Sequence, residues 1–242
     1  MTHLVWFYLG WVLAAGLLGF AVAALFSGWL RLSRRLFLVP YFALGGAFLV
    51  GFFLWSRIDP IALLVENWYW GLLAGTLVGL FLIRNVWSQP ASARPAGAGL
   101  VFDALWVGLG YGAMDALFLN VMPCLAIWTG FSEAGWTTAW PGKIALGVLA
   151  LLASLFVTLL YHLGYREFRN RKVVMVLIGN SLITLAYLVS TNPLGALASH
   201  VTMHMAAVFR GPETVLQLPP HYPAPHDRLT VSTGHRRPAG AG

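Results

Sequence analysis

Seven apolar runs, at about 4–27, 36–56, 64–83, 100–126, 143–164, 172–190 and 194–209, take up most of the chain and leave only short connections. The hydrocarbon core of a bilayer is roughly 30 Å thick and needs about 20 residues of helix to cross it. A backbone in lipid must satisfy its own hydrogen bonds, so runs of this length read as helices. Charged residues are 10% of the chain, against about 25% in soluble domains. Too few remain to cover a water-facing surface. The expected fold class is all-α, a polytopic transmembrane helix bundle of about seven helices. Its setting is the cell membrane and its first partner the lipid bilayer. The last run is the shortest and contains two histidines.

The formal net charge of +7 does not point to nucleic acid. The basic residues sit in the connections, and they alternate. Arg31, Arg34 and Arg35 follow the first run, Arg84 and Arg94 the third, and Arg166, Arg169, Arg171 and Lys172 the fifth. The tail holds Arg210, Arg228, Arg236 and Arg237. The second, fourth and sixth connections are poor in basic residues. By the positive-inside rule the N-terminus lies outside and the C-terminus in the cytosol. The first run has no basic residue before it and is too long for a signal-peptide core, so it reads as a retained helix. The single cysteine, Cys124, excludes an internal disulfide framework and any paired-cysteine metal motif.

Residues 88–99 are rich in Pro, Ala, Gly and Ser, which marks a flexible linker. It divides an N-terminal three-helix region, 1–87, from a four-helix core, 100–210. Residues 211–242, rich in Pro and polar groups, read as a disordered tail. Gly71, Gly75 and Gly79 form a four-residue repeat that reads as close helix packing within the subunit rather than a dimer contact. Trp68, Tyr69, Trp70, Trp128, Trp136 and Trp140 read as interfacial belt residues.

Polar residues at mid-depth concentrate in the last four runs: Asp115 and Asn120; Ser154, Thr158 and His162; Asn180 and Thr184; His200 and His204. Those on the fifth, sixth and seventh runs recur every four residues, so each set shares one helix face. An aspartate at the bilayer centre costs about 2.5–3.5 kcal/mol on insertion scales, so it faces the protein interior. Asn180, Thr184, Ser154 and Thr158 read as interhelical hydrogen-bonding groups, and Asp103 as a membrane-edge residue. Asp115 with three histidines reads as a site. His200 and His204, spaced i and i+4, can share an ion, and His162 and Asp115 can complete its ligands, a set that suits zinc or another divalent metal. The same cluster is equally equipped for acid–base chemistry.

The order of these motifs resembles the CPBP family of CAAX-prenyl and bacteriocin-processing intramembrane proteases. That family's pattern is Glu-Glu-x-x-x-Arg, then Phe-x-x-x-His, then His-x-x-x-Asn or Asp. The corresponding stretches here are 114–120, with Met114, Asp115 and Asn120, then Thr158 to His162, then His200 to His204. The resemblance covers about 140 residues and leaves out the first three helices. It implies that Asp115 activates water and that His162 and His200 stand at the family's histidine positions, with His204 at the Asn/Asp position. The chain departs from the pattern at Met114, at Leu119 near the arginine position, and at Thr158 in place of phenylalanine.

Three functional classes follow. The first is an intramembrane hydrolase, with Asp115, His162, His200 and His204 catalytic and a membrane-embedded peptide or lipidated molecule as substrate. The second is a metal-site protein built on the same four residues. The third is a non-enzymatic scaffold or partner-binding homologue. A retinal protein is excluded, because Lys143 and Lys172 lie at loop edges and no mid-helix amine exists for a Schiff base. The tail histidines His221, His226 and His235 read as solvated.

The charge alternation makes a testable prediction. A reporter fused after residue 242 should be active only in the cytosol, and one fused before residue 1 only outside. The opposite pattern would invert the topology.

Overall fold

The computed structural model describes residues 3–132, 134–213 and 215–222, so His226 and His235 lie outside the described residues. The helices are α1 His3–Trp29, α2 Arg34–Ser56, the short α3 Pro60–Val65, α4 Trp68–Ser88, α5 Ala98–Ser132, α6 Trp140–Gly164, α7 Lys172–Ser190 and α8 Leu194–Arg210. No strand occurs among the described residues. Among these helices α1, α2, α4, α5, α6 and α7 are each long and apolar enough to cross a membrane, and the chain is a multi-pass membrane protein. The seventh expected span, α8, has 17 residues, about 25 Å of helix. That is short for an independent crossing, and α8 is instead flanked by α4, α5 and α7.

Local chemistry sets the ends. Asp59 caps α3 by accepting from the amides of Ile61 (2.8 Å) and Ala62 (3.3 Å), with Pro60 at the first helical position where its missing N–H costs nothing. Asn192 caps α8 by accepting from Leu194 N at 2.8 Å. Its amide nitrogen donates to the carbonyls of Leu63, Leu64 and Glu66, which ties the connection after α3 to the start of α8.

Helix α5 is the central element. In its most apolar window 78% of residues are buried, against 28–39% in the other crossing helices. It runs as π-helix over Ala104–Tyr111 and again over Ala116–Val121, with an α-helical turn, Gly112–Asp115, between them. The wider i→i+5 bonding of a π-turn brings residues five apart toward one face, and Asp115 and Asn120 are five apart.

Glycines bring α8 close to both neighbours. A Cβ added at Gly75 of α4 would stand 2.8 Å from Ala198 Cβ and 2.9 Å from the carbonyls of Leu194 and Gly195. At Gly112 of α5 it would stand 2.8 Å from Val201 Cα. Gly71 and Gly79 meet Asn192 and Thr202 of the same α8 face. The glycine repeat therefore serves packing within the chain.

Across the 88–99 connection α1 packs on α6 and α4 on α8. The connection is held to the end of α8: Arg210 donates through Nε and one terminal nitrogen to the Gln89 carbonyl, and Ser92 N donates to the Arg210 carbonyl. The described part of the tail is not free either. Arg34 donates to the carbonyls of Leu218 (2.6 Å), Pro212 (3.1 Å) and Pro220 (3.3 Å), and pairs with Glu213. Val215 and Leu218 are buried. His221, expected to be solvated, bonds Glu167 at 3.0 Å. The physical reason is Arg34, whose planar fork of donors finds backbone acceptors in an extended Pro-rich segment that has no helix to occupy them.

Gly75→Leu should overpack the α4–α8 contact, at a cost of about 1–3 kcal/mol or more, read as a lower thermal midpoint in detergent. Gly46→Leu, where an added Cβ meets nothing within 4 Å, should leave the midpoint unchanged. Equal effects would show that the glycine contact does not matter.

Candidate metal centre

Asp115 on α5 and His200 and His204 on α8 converge in the buried interior. Asp115 Oδ2 is 3.7 Å from His204 Nε2 and 3.9 Å from His200 Nε2. One ligand atom from each of the three lies within 4.8 Å of the others. The close backbone approach at Gly112 makes this possible, since that contact falls beside the His200 carbonyl. The i, i+4 spacing of the histidines does the rest: their rings stand 5.0 Å apart on one helix face.

Two of the three are held from behind. Tyr41 OH donates to Asp115 Oδ1 at 2.6 Å, leaving Oδ2 to face the imidazoles. Asn120 Nδ2 donates to Asn180 Oδ1 and Thr184 Oγ1, both at 2.8 Å. Its Oδ1 is therefore an acceptor, and His200 Nδ1, 3.2 Å away, must be the donor. A neutral His200 then presents a lone pair at Nε2 toward Asp115. His204 Nδ1 is buried without a hydrogen-bond partner among the described residues.

A carboxylate oxygen and two imidazole nitrogens thus face one another in a buried pocket, with no hydrogen bond between the carboxylate and either imidazole. Hydrogen bonds would draw such pairs to about 2.7–3.2 Å, and the observed gaps are wider. A cation larger than a proton satisfies all three. Ligand atoms about 2.1 Å from a tetrahedral ion stand about 3.4 Å apart, so the cluster would contract by a few tenths of an ångström around it. Asp115, His200 and His204 could hold a metal ion.

His162 does not join the three. It sits in the last turn of α6, donates from Nδ1 to the Thr158 carbonyl at 2.9 Å, and packs edge-on against Phe168. Its Nε2 is left as an acceptor. It nonetheless lines the same cavity, of about 260 Å³, as Asp115, His200 and His204. His162 lies in the last turn of α6, so it stands beside the cluster and not within it.

The remaining polar residues form a hydrogen-bonded network across helices. Ser154 Oγ donates to the Leu119 carbonyl at 2.7 Å, and Thr184 Oγ1 lies 2.9 Å from Ser154 Oγ. Asn180 Nδ2 donates to Ser154 at 3.1 Å. The network ends on His200 through Asn120. Asp103 takes no part. It is at the basic end of α5, in a two-bond pair with Arg35 at 2.7 and 2.9 Å.

Sequence reasoning misses Tyr41, because the first three helices look uniformly apolar. The one signal is a tyrosine beside Pro40 deep in α2. Tyr111 on α5, Tyr161 on α6 and Tyr165 just after α6 are missed too, because single tyrosines in apolar helices carry no spacing pattern. They bond to one another through their hydroxyls at 2.7–3.3 Å, and the Tyr111 ring meets His204 edge-on at 4.8 Å. Comparison with family models, with curated proteins and with solved structures finds no match to the chain.

Asn120→Ala should strand the His200 Nδ1 proton and open the network at its centre. The expected loss is about 1–3 kcal/mol, measured as a lower unfolding midpoint. Thr158→Val, which removes a buried hydroxyl that has no partner among the described residues, should cost nothing. An Asn120→Ala variant as stable as wild type would show that the network does not orient the site.

Proposed function

We propose that this chain is an intramembrane metal-dependent hydrolase of the cell membrane. In this reading Asp115, His200 and His204 hold a divalent ion of the zinc type. The observation that carries it is the convergence of one carboxylate and two imidazoles in a buried site, with Asp115 held by Tyr41 and His200 by Asn120. Metal-bound histidines characteristically donate their other nitrogen to a fixed acceptor, as His200 does to Asn120. One carboxylate with two imidazoles leaves a coordination position free, the arrangement of catalytic rather than structural zinc sites.

Bound there, the ion supplies an activated water and polarises a carbonyl or phosphoryl oxygen. The chain's own residues do the rest. Tyr41 fixes the carboxylate through Oδ1. Asn120 sets the His200 tautomer. His162, across the cavity with Nε2 unoccupied, takes a proton from the attacking water and returns it to the leaving group. The apolar lining excludes bulk water and so strengthens each of these interactions.

The hydrolytic part of the reading is supported by the resemblance to the CPBP pattern, whose positions Asp115, His162 and His200 share one cavity here. A second reading follows from that placement: a metal-free hydrolase in which Asp115 itself activates water. In both readings the basic end of the bundle is cytosolic.

Elemental analysis of protein purified without chelators tests the choice. Near-stoichiometric divalent metal is expected. It should vanish in the His200→Ala/His204→Ala double variant and fall by about tenfold to a hundredfold in affinity in Tyr41→Phe, the range for loss of a group behind a ligand. No metal in wild type, even after equilibration with zinc, would sink the metal reading and leave the metal-free one.

A further inference from the structure

The cavity that holds the cluster has two kinds of wall. Its deep end is polar, with Asp115, His162, Asn180, His200 and His204. From there it runs outward between α4 and α7, past Leu82 and Phe81 on one side and Ile183, Leu182, Gly179, Ile178 and Met175 on the other. Phe81, Met175 and Ile178 are 54%, 56% and 53% exposed. They lie on membrane-crossing helices, so what they are exposed to is lipid. On α7 the lining extends from Met175 to Ile183, or about 12 Å along the helix. Both helices meet again at the far end, where Asn67 Nδ2 donates to Thr191 Oγ1 at 3.1 Å.

The wall toward the basic end is different. Leu216 and Gln217 line the cavity there, and the segment that carries them is fastened. Leu216 N donates to Gln89 Oε1 at 3.1 Å, Gln89 Nε2 donates to Gln217 Oε1 at 3.3 Å, and Arg34 grips the carbonyls on either side. The approach from water is therefore covered by the 215–222 segment, and the approach from the bilayer is lined by apolar side chains.

We infer that the substrate is a lipid-class amphiphile that reaches the cluster sideways from the bilayer, between α4 and α7, with its polar end at Asp115 and its hydrocarbon chain lying along Phe81 and Gly179. This rests on the proposed hydrolytic site only for the fate of the polar end. The cavity volume of about 260 Å³ suits one extended chain. A helical peptide segment, about 10–12 Å across with its side chains, does not fit. The polar head that suits the deep end carries a carbonyl or phosphoryl oxygen, whether on a free fatty acid derivative or on a membrane phospholipid.

Gly179 gives a direct test. It lines the cavity, and a Cβ added there meets nothing within 4 Å, so a large side chain can be placed in the passage without a clash in the bundle. Gly147 of α6 is equally open and lies outside the cavity lining. Binding of a doxyl-labelled stearate and of a doxyl-labelled phosphatidylcholine would be followed by spin-label immobilisation on the purified full-length protein, with metal content measured on the same samples. Saturable binding of at least one probe is expected in wild type and in Gly147→Trp. In Gly179→Trp it should weaken by at least about tenfold, the equivalent of 1.4 kcal/mol, with metal content unchanged. Immobilisation of the stearate alone or of the phospholipid alone would each support the inference and name the source. Two results would overturn it: no saturable binding of either probe to metal-loaded wild type, or binding to Gly179→Trp as tight as to wild type. Saturable, Gly179-sensitive binding to a protein that holds no metal would keep the lipid passage and remove the metal reading instead.

Discussion

Helix α8 touches the backbones of two neighbours at once, and glycine is what allows it. Gly71, Gly75 and Gly79 on α4 and Gly112 on α5 leave no room for a side chain where α8 passes. In lipid there is little hydrophobic gain in bringing helices together, so close backbone approach and the hydrogen bonds that accompany it carry much of the association. The consequence is chemical. The same contact sets His200 and His204 within 4 Å of the Asp115 carboxylate, a spacing that a bulkier interface would forbid.

The polar interior is organised around that spacing. Tyr41 on α2, Asn120 on α5, Ser154 on α6 and Asn180 and Thr184 on α7 are joined by hydrogen bonds from helix to helix. Together they satisfy the amides and hydroxyls that a hydrocarbon environment would otherwise leave unpaired, which is costly for each group. At the centre the Asp115 carboxylate stands 3.7 and 3.9 Å from the two imidazoles with no hydrogen bond between them, an arrangement that could hold a metal ion.

The two ends of the cavity complement this centre. Apolar residues of α4 and α7 open it toward lipid, while the fastened segment 215–222 walls it at the basic end. Arg34 is the anchor of that wall. Its guanidinium binds three backbone carbonyls and Glu213, so a residue that counts toward topology by its charge also shapes access to the site.

The sequence alone determined the helical architecture and marked which polar residues turn inward. Apolar runs of bilayer length admit only helices, because lipid offers no partner for an unpaired backbone group. An acid and imidazoles in such runs must turn inward, because lipid penalises them. Asp115, His200 and His204 were legible for that reason, and so was the glycine repeat. Tertiary structure decided the rest. It placed His162 beside the trio instead of within it, since depth along α6 depends on how the helix sits in the bundle. It recruited Tyr41, whose role comes from the packing of α2 on α5 and not from any local pattern. The π-turns brought Asn120 onto the face of Asp115, a five-residue relation that the 3.6-residue period of an ordinary helix conceals. Finally, the placement of residues 211–213 and 215–222 came from Arg34, far away in sequence, and long-range partners of that kind leave no mark on local composition.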